Sequence, residues 1–259
     1  MIRIKNVSIT YRGSKRQVEA VRDVSLELER GKVTSLVGES GSGKSTLLMA
    51  IPSLLPPEAR LTGSITLEGR ELVGLGEQQL QKIRWDQIAL VPQGAMNSFT
   101  PVLSIGAQID EVLAFHLGLK GRKLKDRTGE LLDQAGLSAE FSNRYPHELS
   151  GGQKQRAAIA MALACSPPFL LADEPTTALD VITQSQLITT LVSVSRERSA
   201  GLLLVTHDIA LATCVSDNIA VMKDGIIVEV GPPSKIVEDP REEHTKLLVG
   251  SLKEIEERE

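Results

Sequence analysis

The chain has 259 residues, 41% of them hydrophobic and 24% charged, with a formal net charge of −4. That composition suits a globular protein with a substantial core and speaks against a basic nucleic-acid-binding domain. The length is long for one domain and short for two full ones.

Lysine and arginine are spread along the chain, with no block dense enough for a DNA-binding arm or a membrane-surface patch. Cys165 and Cys214 lie far apart and fit neither a zinc nor an iron–sulfur spacing. Both sit in apolar helical contexts, MALACSP and LATCVSD, so buried free thiols in a reducing compartment are expected. No run approaches the ~20 apolar residues of a membrane span, and Met1 leads into a strand pattern without a signal-peptide signature. A soluble, cytoplasmic chain is expected, linked to a membrane only through a partner.

In chain order, IRIKNVSIT and VRDVSLELE alternate as half-exposed strands of an antiparallel layer do. VTSLV (33–37), bounded by Gly31 and Gly38, reads as a buried parallel strand. SITLEG (64–69) is another alternating strand, and IALVPQ (88–93) another buried one. From about 97 the periodicity turns helical, over 105–118, 122–136 and 152–165. Buried strands resume at FLLA (169–172) and LLLV (202–205), separated by a helical run over 181–197. IAVMK and GIIVEVG form a closing hairpin over Lys223-Asp224-Gly225, since Asp-Gly is a good turn former. The tail, from about 232, has one amphipathic helix in HTKLLVGSL and a solvated, frayed end. Buried strands alternating with helices imply a layered α/β core, interrupted by a helical insertion and preceded by an antiparallel layer.

Strand, glycine-rich loop and apolar-striped helix follow one another in VTSLVGESGSGKSTLLMAI. Gly38, Gly43, Lys44 and Ser45 satisfy G-x4-G-K-[ST]. Glycines let successive amides face a phosphate, Lys44 can reach the β and γ phosphates, and the Ser45 hydroxyl can ligate Mg²⁺. A glycine-rich turn capping a helix is the bland alternative, but strand and helix stand where a phosphate loop needs them. FLLADE supplies the acids: Asp173 for the Mg²⁺ shell and Glu174 to orient and deprotonate an attacking water. Alone, the same segment is also a strand ending in two solvated acids.

LSGGQKQR (149–156) has the look of a second anion cradle, a helix start with Ser150 and two glycines ahead of a basic run. Ser150 and Gln153 also fit a plain capping box, S-x-x-Q.

Taken together, these motifs resemble the nucleotide-binding subunit of ABC transporters over about residues 2–232. GESGSGKST, residues Gly38, Glu39, Ser40, Gly41, Ser42, Gly43, Lys44, Ser45 and Thr46, resembles the family's Walker A, and FLLADE its Walker B. Gln93 resembles its Q-loop, LSGGQ (149–153) its signature motif, Thr177-Ala178-Leu179-Asp180 its D-loop, and His207 in VTHD its switch histidine. Tyr11 stands where the family places an aromatic against adenine; a packing aromatic is the alternative. A lone His is usually structural and an exposed Gln usually idle, so His207 and Gln93 draw their roles from the resemblance.

The resemblance implies an α/β, P-loop NTPase core of the ABC ATPase type, with an N-terminal antiparallel β layer and an inserted α-helical subdomain. Residues 1–96 and 166–231 would form the RecA-like core with its β layer, 97–165 the helical subdomain carrying the signature motif, and 232–259 a short tail. ATP and Mg²⁺ are the implied cofactors. Two subunits would pair head to tail, each ATP lying between one chain's phosphate loop and Ser150, Gly151, Gly152 and Gln153 of the other, with Asp180 nearby. Glu174 would be the catalytic base, His207 and Gln93 its companions at the γ-phosphate, and Ser45, Gln93 and Asp173 the metal ligands.

PQGAMNSFTPVLSIGAQI, NRYPHELSGGQKQR and DEPTTALDV are similar to the oligopeptide, dipeptide and nickel importer ATPases. The implied partners are integral membrane permease subunits, a related but non-identical second ATPase subunit (a homodimer being the other option) and, indirectly, an extracytoplasmic substrate-binding protein. The implied location is the cytoplasmic face of the membrane. Peptide importers often carry a C-terminal cysteine cluster; this chain has none, a departure suggesting the nickel and metal branches. The rival class is a non-transport ABC ATPase acting on nucleic acid or the ribosome. It is disfavoured because there are no sustained heptads, no basic linker and no second fused domain.

Overall fold

A computed structural model of the chain describes residues 1–12, 17–95, 98–177 and 179–256, the last six as backbone only. Met96 and Asn97 after the Q-loop, the boundary expected at 97, Ala178 of the D-loop and the end of the charged tail lie outside these residues. In chain order the elements are β1 (Ile2–Arg12), β2 (Gln17–Leu28), β3 (Val33–Val37), α1 (Lys44–Ala50), β4 (Ala59–Leu67), β5 (Arg70–Glu71), α2 (Glu77–Gln81) and β6 (Ile88–Val91). There follow α3 (Ile105–Leu117), α4 (Gly121–Gln134), α5 (Gly151–Ala162), β7 (Phe169–Asp173), α6 (Val181–Glu197) and β8 (Gly201–Thr206). The chain continues through α7 (Ile209–Val215), β9 (Asn218–Lys223), β10 (Ile226–Gly231), α8 (Pro233–Glu238) and α9 (Glu243–Glu256). The chain divides into two compact units, Met1–Leu80 with Gly201–Glu259, and Gln81–Ala200.

In the first unit, the alternating N-terminal segments form the expected antiparallel layer, in the order β2-β1-β4-β5. Period-two alternation turns Ile2 and Ile4 inward opposite Leu28 and Leu26, and beyond the register shifts around Val7, Ile9 is inward opposite Val21. β3 is buried along its whole length and pairs in parallel with β8 and β9, as a continuous apolar run requires when both faces are covered. β10 returns antiparallel to β9 over a turn in which Asp224 (φ 47°) and Gly225 (φ 84°) are both left-handed, the geometry that a two-residue Asp-Gly hairpin selects. Val37, Ile209, Ala212, Ile219, Val221, Ile236 and Val249 form one buried cluster, so the tail helices contribute apolar residues to this core. The Glu229 carboxylate accepts from the Arg241 and Glu242 amides, which anchors the tail to β10.

The second unit pairs β6 with β7 in parallel, Ile88 to Phe169 through Val91 to Ala172. Its helices bury stripes at helical spacing: Ile105, Ile109 and Leu113 on α3, Leu131 and Leu132 on α4, Leu187, Ile188 and Leu191 on α6. Ser104 caps α3 through the Ala107 amide, and Gly118 ends it at φ 65°. α6 spans the expected 181–197, whereas α5 stops at Ala162, short of the expected 165.

Both cysteines are free, but the expected burial fails. α7 turns Ile209 and Ala212 inward and leaves Cys214 exposed, while Cys165, beyond the end of α5, is half-buried. Apolar neighbours in the sequence do not say which side of a short helix faces the core. No helix among the described residues is long and apolar enough to cross a membrane.

Glu71 closes the β4–β5 turn. Burial works to raise its carboxyl, but the Ser64 hydroxyl and the Val73, Ile65 and Leu72 amides outweigh burial and hold it below the ordinary 4.5. A carboxyl lowered on folding adds stability above its ordinary value and loses it as the pH falls through the lowered one. Urea unfolding should therefore show wild-type stability dropping below about pH 4.5 more steeply than that of Glu71→Gln, whose amide does not titrate.

Candidate functional site

In the first unit, buried β3 delivers the loop Gly38–Gly43 at its carboxyl end. Gly43 caps α1 at φ 102° without a side-chain bond, and a Cβ there would stand 2.2 Å from the Ala20 carbonyl oxygen. Only glycine meets both demands. Lys44, the first residue of α1, is 4% exposed. Its ammonium donates to the Gly38 and Glu39 carbonyl oxygens at 2.7 and 2.8 Å and, at 3.5 Å, to the Ser42 hydroxyl. Loop oxygens thereby replace the water that a buried cation loses. Ser42 is buried and its carbonyl accepts from the Gly225 amide at 2.9 Å, while Glu39, Ser40 and Gly41 are exposed and Ser45 and Thr46 half-buried.

Tyr11 on β1 donates its hydroxyl to Thr46 Oγ1 at 3.4 Å, beside the first turn of α1. The parallel register sets Val37 opposite Thr206. The next residues are Gly38 and the exposed His207, so the histidine leaves its strand at the end where the loop begins. The first unit therefore brings together the glycine loop, Tyr11 and His207.

In the second unit, β7 is buried throughout and ends at Asp173, 5% exposed. Glu174 follows at φ 41°, a left-handed value uncommon outside glycine. The β6–β7 register pairs Val91 with Ala172, which puts Gln93 at the same sheet end as the two acids. The Gln93 amide donates to Glu174 Oε2 at 3.3 Å, and the Thr177 hydroxyl donates to the same oxygen at 3.2 Å. Both donors are neutral groups that converge on one carboxylate oxygen and aim it.

Ser150 begins α5 with a complete capping box. Its hydroxyl oxygen accepts from the Gln153 amide at 3.3 Å, and the Gln153 side chain accepts from the Ser150 amide at 2.9 Å. A serine oxygen that accepts keeps its own O–H to donate, and helix geometry gives the first amides, Gly151 and Gly152, no intrahelical partner. Asp180 caps α6: its carboxylate accepts from the Thr183 hydroxyl at 2.7 Å and the Thr183 amide at 3.0 Å, bonds that hold its carboxyl below the ordinary range. A Cβ on Gly152 would meet the Thr183 methyl at 2.8 Å, so the two helix starts touch. This unit brings Gln93, Asp173 and Glu174 together at one sheet end, and Ser150, Gly151, Gly152, Gln153 and Asp180 at adjoining helix starts.

Sequence reasoning missed Thr177 as a positioner of Glu174; the i,i+3 spacing in EPTT was the available signal. It also missed the Ala20 carbonyl that crowds Gly43, for which a sequence carries no local sign.

The ABC transporter family matches residues 21–177. The chain is 38% identical, over 99% of its length and 73% of the relative's, to the oligopeptide transport ATP-binding protein OppD of Bacillus subtilis (strain 168). It is 37% identical, over 97% and 75%, to the protein of the same name from Lactococcus lactis subsp. cremoris (strain SK11). It is also similar to a solved dimeric structure of the ATP-binding cassette MJ0796 in a post-hydrolysis state bound to ADP and Pi. That likeness has a TM-score of 0.81 and 35% identity, over 90% of this chain and 99% of the other.

Gly43→Ala forces a side chain into a left-handed position against a backbone oxygen. It is expected to lower stability by about 1–3 kcal/mol in urea unfolding and to weaken binding of a fluorescent ATP analogue in titration.

Proposed function

The chain belongs to the ABC transporter family, and from that premise we propose that it is the ATP-hydrolysing subunit that powers a peptide importer. Its fold is the ABC type of P-loop ATPase, and its nucleotide is ATP. The observation that carries the catalytic assignment is the arrangement at the end of β7. There Glu174, held by Gln93 and Thr177 through neutral hydrogen bonds, follows the buried Asp173.

Hydrolysis transfers the γ-phosphoryl group to water by in-line attack, so the protein's work is positioning and charge stabilisation. Glu174 takes the water proton as general base. Gln93 aims the Glu174 carboxylate. The Lys44 ammonium, now bound to loop carbonyls, turns to the β and γ oxygens when nucleotide enters. His207 supports the γ-phosphate. The Ser45 hydroxyl, Asp173 carboxylate and Gln93 amide oxygen are hard oxygen donors and fit Mg²⁺. When bound, that ion neutralises charge on the phosphates.

Ser150, Gly151 and Gly152 serve the nucleotide of a second subunit. The Ser150 O–H and the two leading amides donate to that γ-phosphate, with Asp180 beside them and Gln153 keeping the cap in place. ATP then joins two chains, and loss of its terminal phosphate lets them part. Tyr11, tied to Thr46, offers its ring to the adenine.

The relatives' names support peptides as cargo, and the dimeric form of the similar cassette supports a second ATPase subunit; membrane permeases would be the partners that carry the cargo across. An extracytoplasmic binding protein would deliver the cargo, and the chain would sit peripherally on the cytoplasmic face of the membrane. The helical stretch 97–165 is proposed as the subdomain that meets the permeases, 1–96 with 166–231 as the nucleotide core and 232–259 as its tail. Nickel chelates are the competing cargo, because the stretches after Gln93 and around LSGGQ are also similar to those of nickel importer ATPases.

Glu174→Gln should cut steady-state ATP turnover by about 10²–10⁴-fold, the usual worth of a positioned general base, while leaving equilibrium ATP binding intact. Unchanged turnover removes Glu174 from the role. Lys44→Ala should lose tight ATP binding in the same assay. With the co-purified complex in vesicles, short peptides rather than nickel chelates should stimulate hydrolysis.

A further inference from the structure

The second unit holds a side-chain cluster that nucleotide chemistry leaves unused. Asp86 lies just before β6, His116 in the last turn of α3, and Cys165 just beyond α5. One ligand atom from each falls within 4.8 Å of the others. His116 Nδ1 is 3.2 Å from Asp86 Oδ1, and the imidazole is 10% exposed. Phe115 meets that ring edge-on at 5.0 Å between centroids, and Trp85 lies tilted against it at 6.3 Å. Asp86 Oδ1 is buried, yet it makes no well-directed hydrogen bond despite that short approach.

A donor and an acceptor at 3.2 Å ordinarily point at each other. Two ligands of one tetrahedral ion point at the ion instead. Each lies about 2.0 Å from zinc, so they stand roughly 3.3 Å apart, with neither aimed at the other. The His116–Asp86 approach has that spacing and that poor direction. Thiolate, imidazole and carboxylate together form a donor set that suits zinc and is wrong for magnesium.

We propose that Asp86, His116 and Cys165 bind a single zinc ion, apart from the nucleotide. Three protein ligands leave the fourth tetrahedral position to water. The ion joins the entry of β6 to the ends of α3 and α5, segments far apart in sequence, which is why a search for closely spaced cysteine ligands overlooks it. Burial, the neighbouring Asp86 charge and a hydrogen bond to the Asp86 carboxylate push the Cys165 thiol up to about 12.

Cobalt(II), the spectroscopic stand-in for zinc, tests this by titration into the full chain, reduced and free of nucleotide. A thiolate-to-cobalt charge-transfer band with intense tetrahedral d–d bands is expected, both erased by added zinc. Cys165→Ser should lose the charge-transfer band, and Cys214→Ser should keep it. Zinc should raise the melting temperature of wild type and not of Cys165→Ser. If Cys165→Ser does not fold, His116→Gln decides: loss of d–d intensity supports the site and an unchanged spectrum overturns it. No band in wild type, a band that survives Cys165→Ser, or one lost in Cys214→Ser also overturns it.

Discussion

A lysine ammonium cannot leave water unless other oxygens take the place of its hydration, and the loop after β3 is built around that requirement. Lys44 is almost wholly buried and spends its donors on the Gly38 and Glu39 carbonyls and the Ser42 hydroxyl. Those carbonyls can point inward only because the chain curls through glycine, and the curl is confined by the Ala20 carbonyl against Gly43. Strand, loop and helix are thus one device: the buried strand fixes the loop's origin, the glycines set its curvature, and the lysine fills it. Phosphate oxygens are better partners for an ammonium than neutral carbonyls, so the proposed turn of Lys44 to a nucleotide trades one set of oxygens for a stronger one.

The acid pair at the end of β7 works by contrast of environment. Asp173 is buried at the end of its strand, whereas the left-handed turn at Glu174 brings its carboxylate to Gln93 and Thr177. Two donors on one oxygen fix the direction in which the Glu174 carboxylate points. Two adjacent acids so come to lie in different surroundings through one residue's change in backbone direction.

At LSGGQ the helix cap leaves room for the proposed role in binding a phosphate. The capping box is fully made, and it spends only lone pairs of the Ser150 oxygen and the side chain of Gln153. What remains is the serine proton and the leading amides, the groups an anion wants. The Asp180 cap and the close fit of Gly152 to Thr183 hold this helix start against its neighbour. A feature that stabilises a helix end also presents it.

Contiguous residues and local periodicity were enough for the main strands and helices, the extent of α6, the phosphate loop, the acids that follow FLLA and the capping box of α5, but not for the short β5 and α2, the second tail helix α8 or the Asp180 cap of α6. Only the tertiary structure decided that Cys214 faces solvent, that Thr177 and Gln93 share one oxygen of Glu174, and that four donors converge on Glu71. It also brought Asp86, His116 and Cys165 into one cluster. Those facts depend on which side of an element faces the core and on strand register, and both are settled by packing between segments that no stretch of sequence encodes alone.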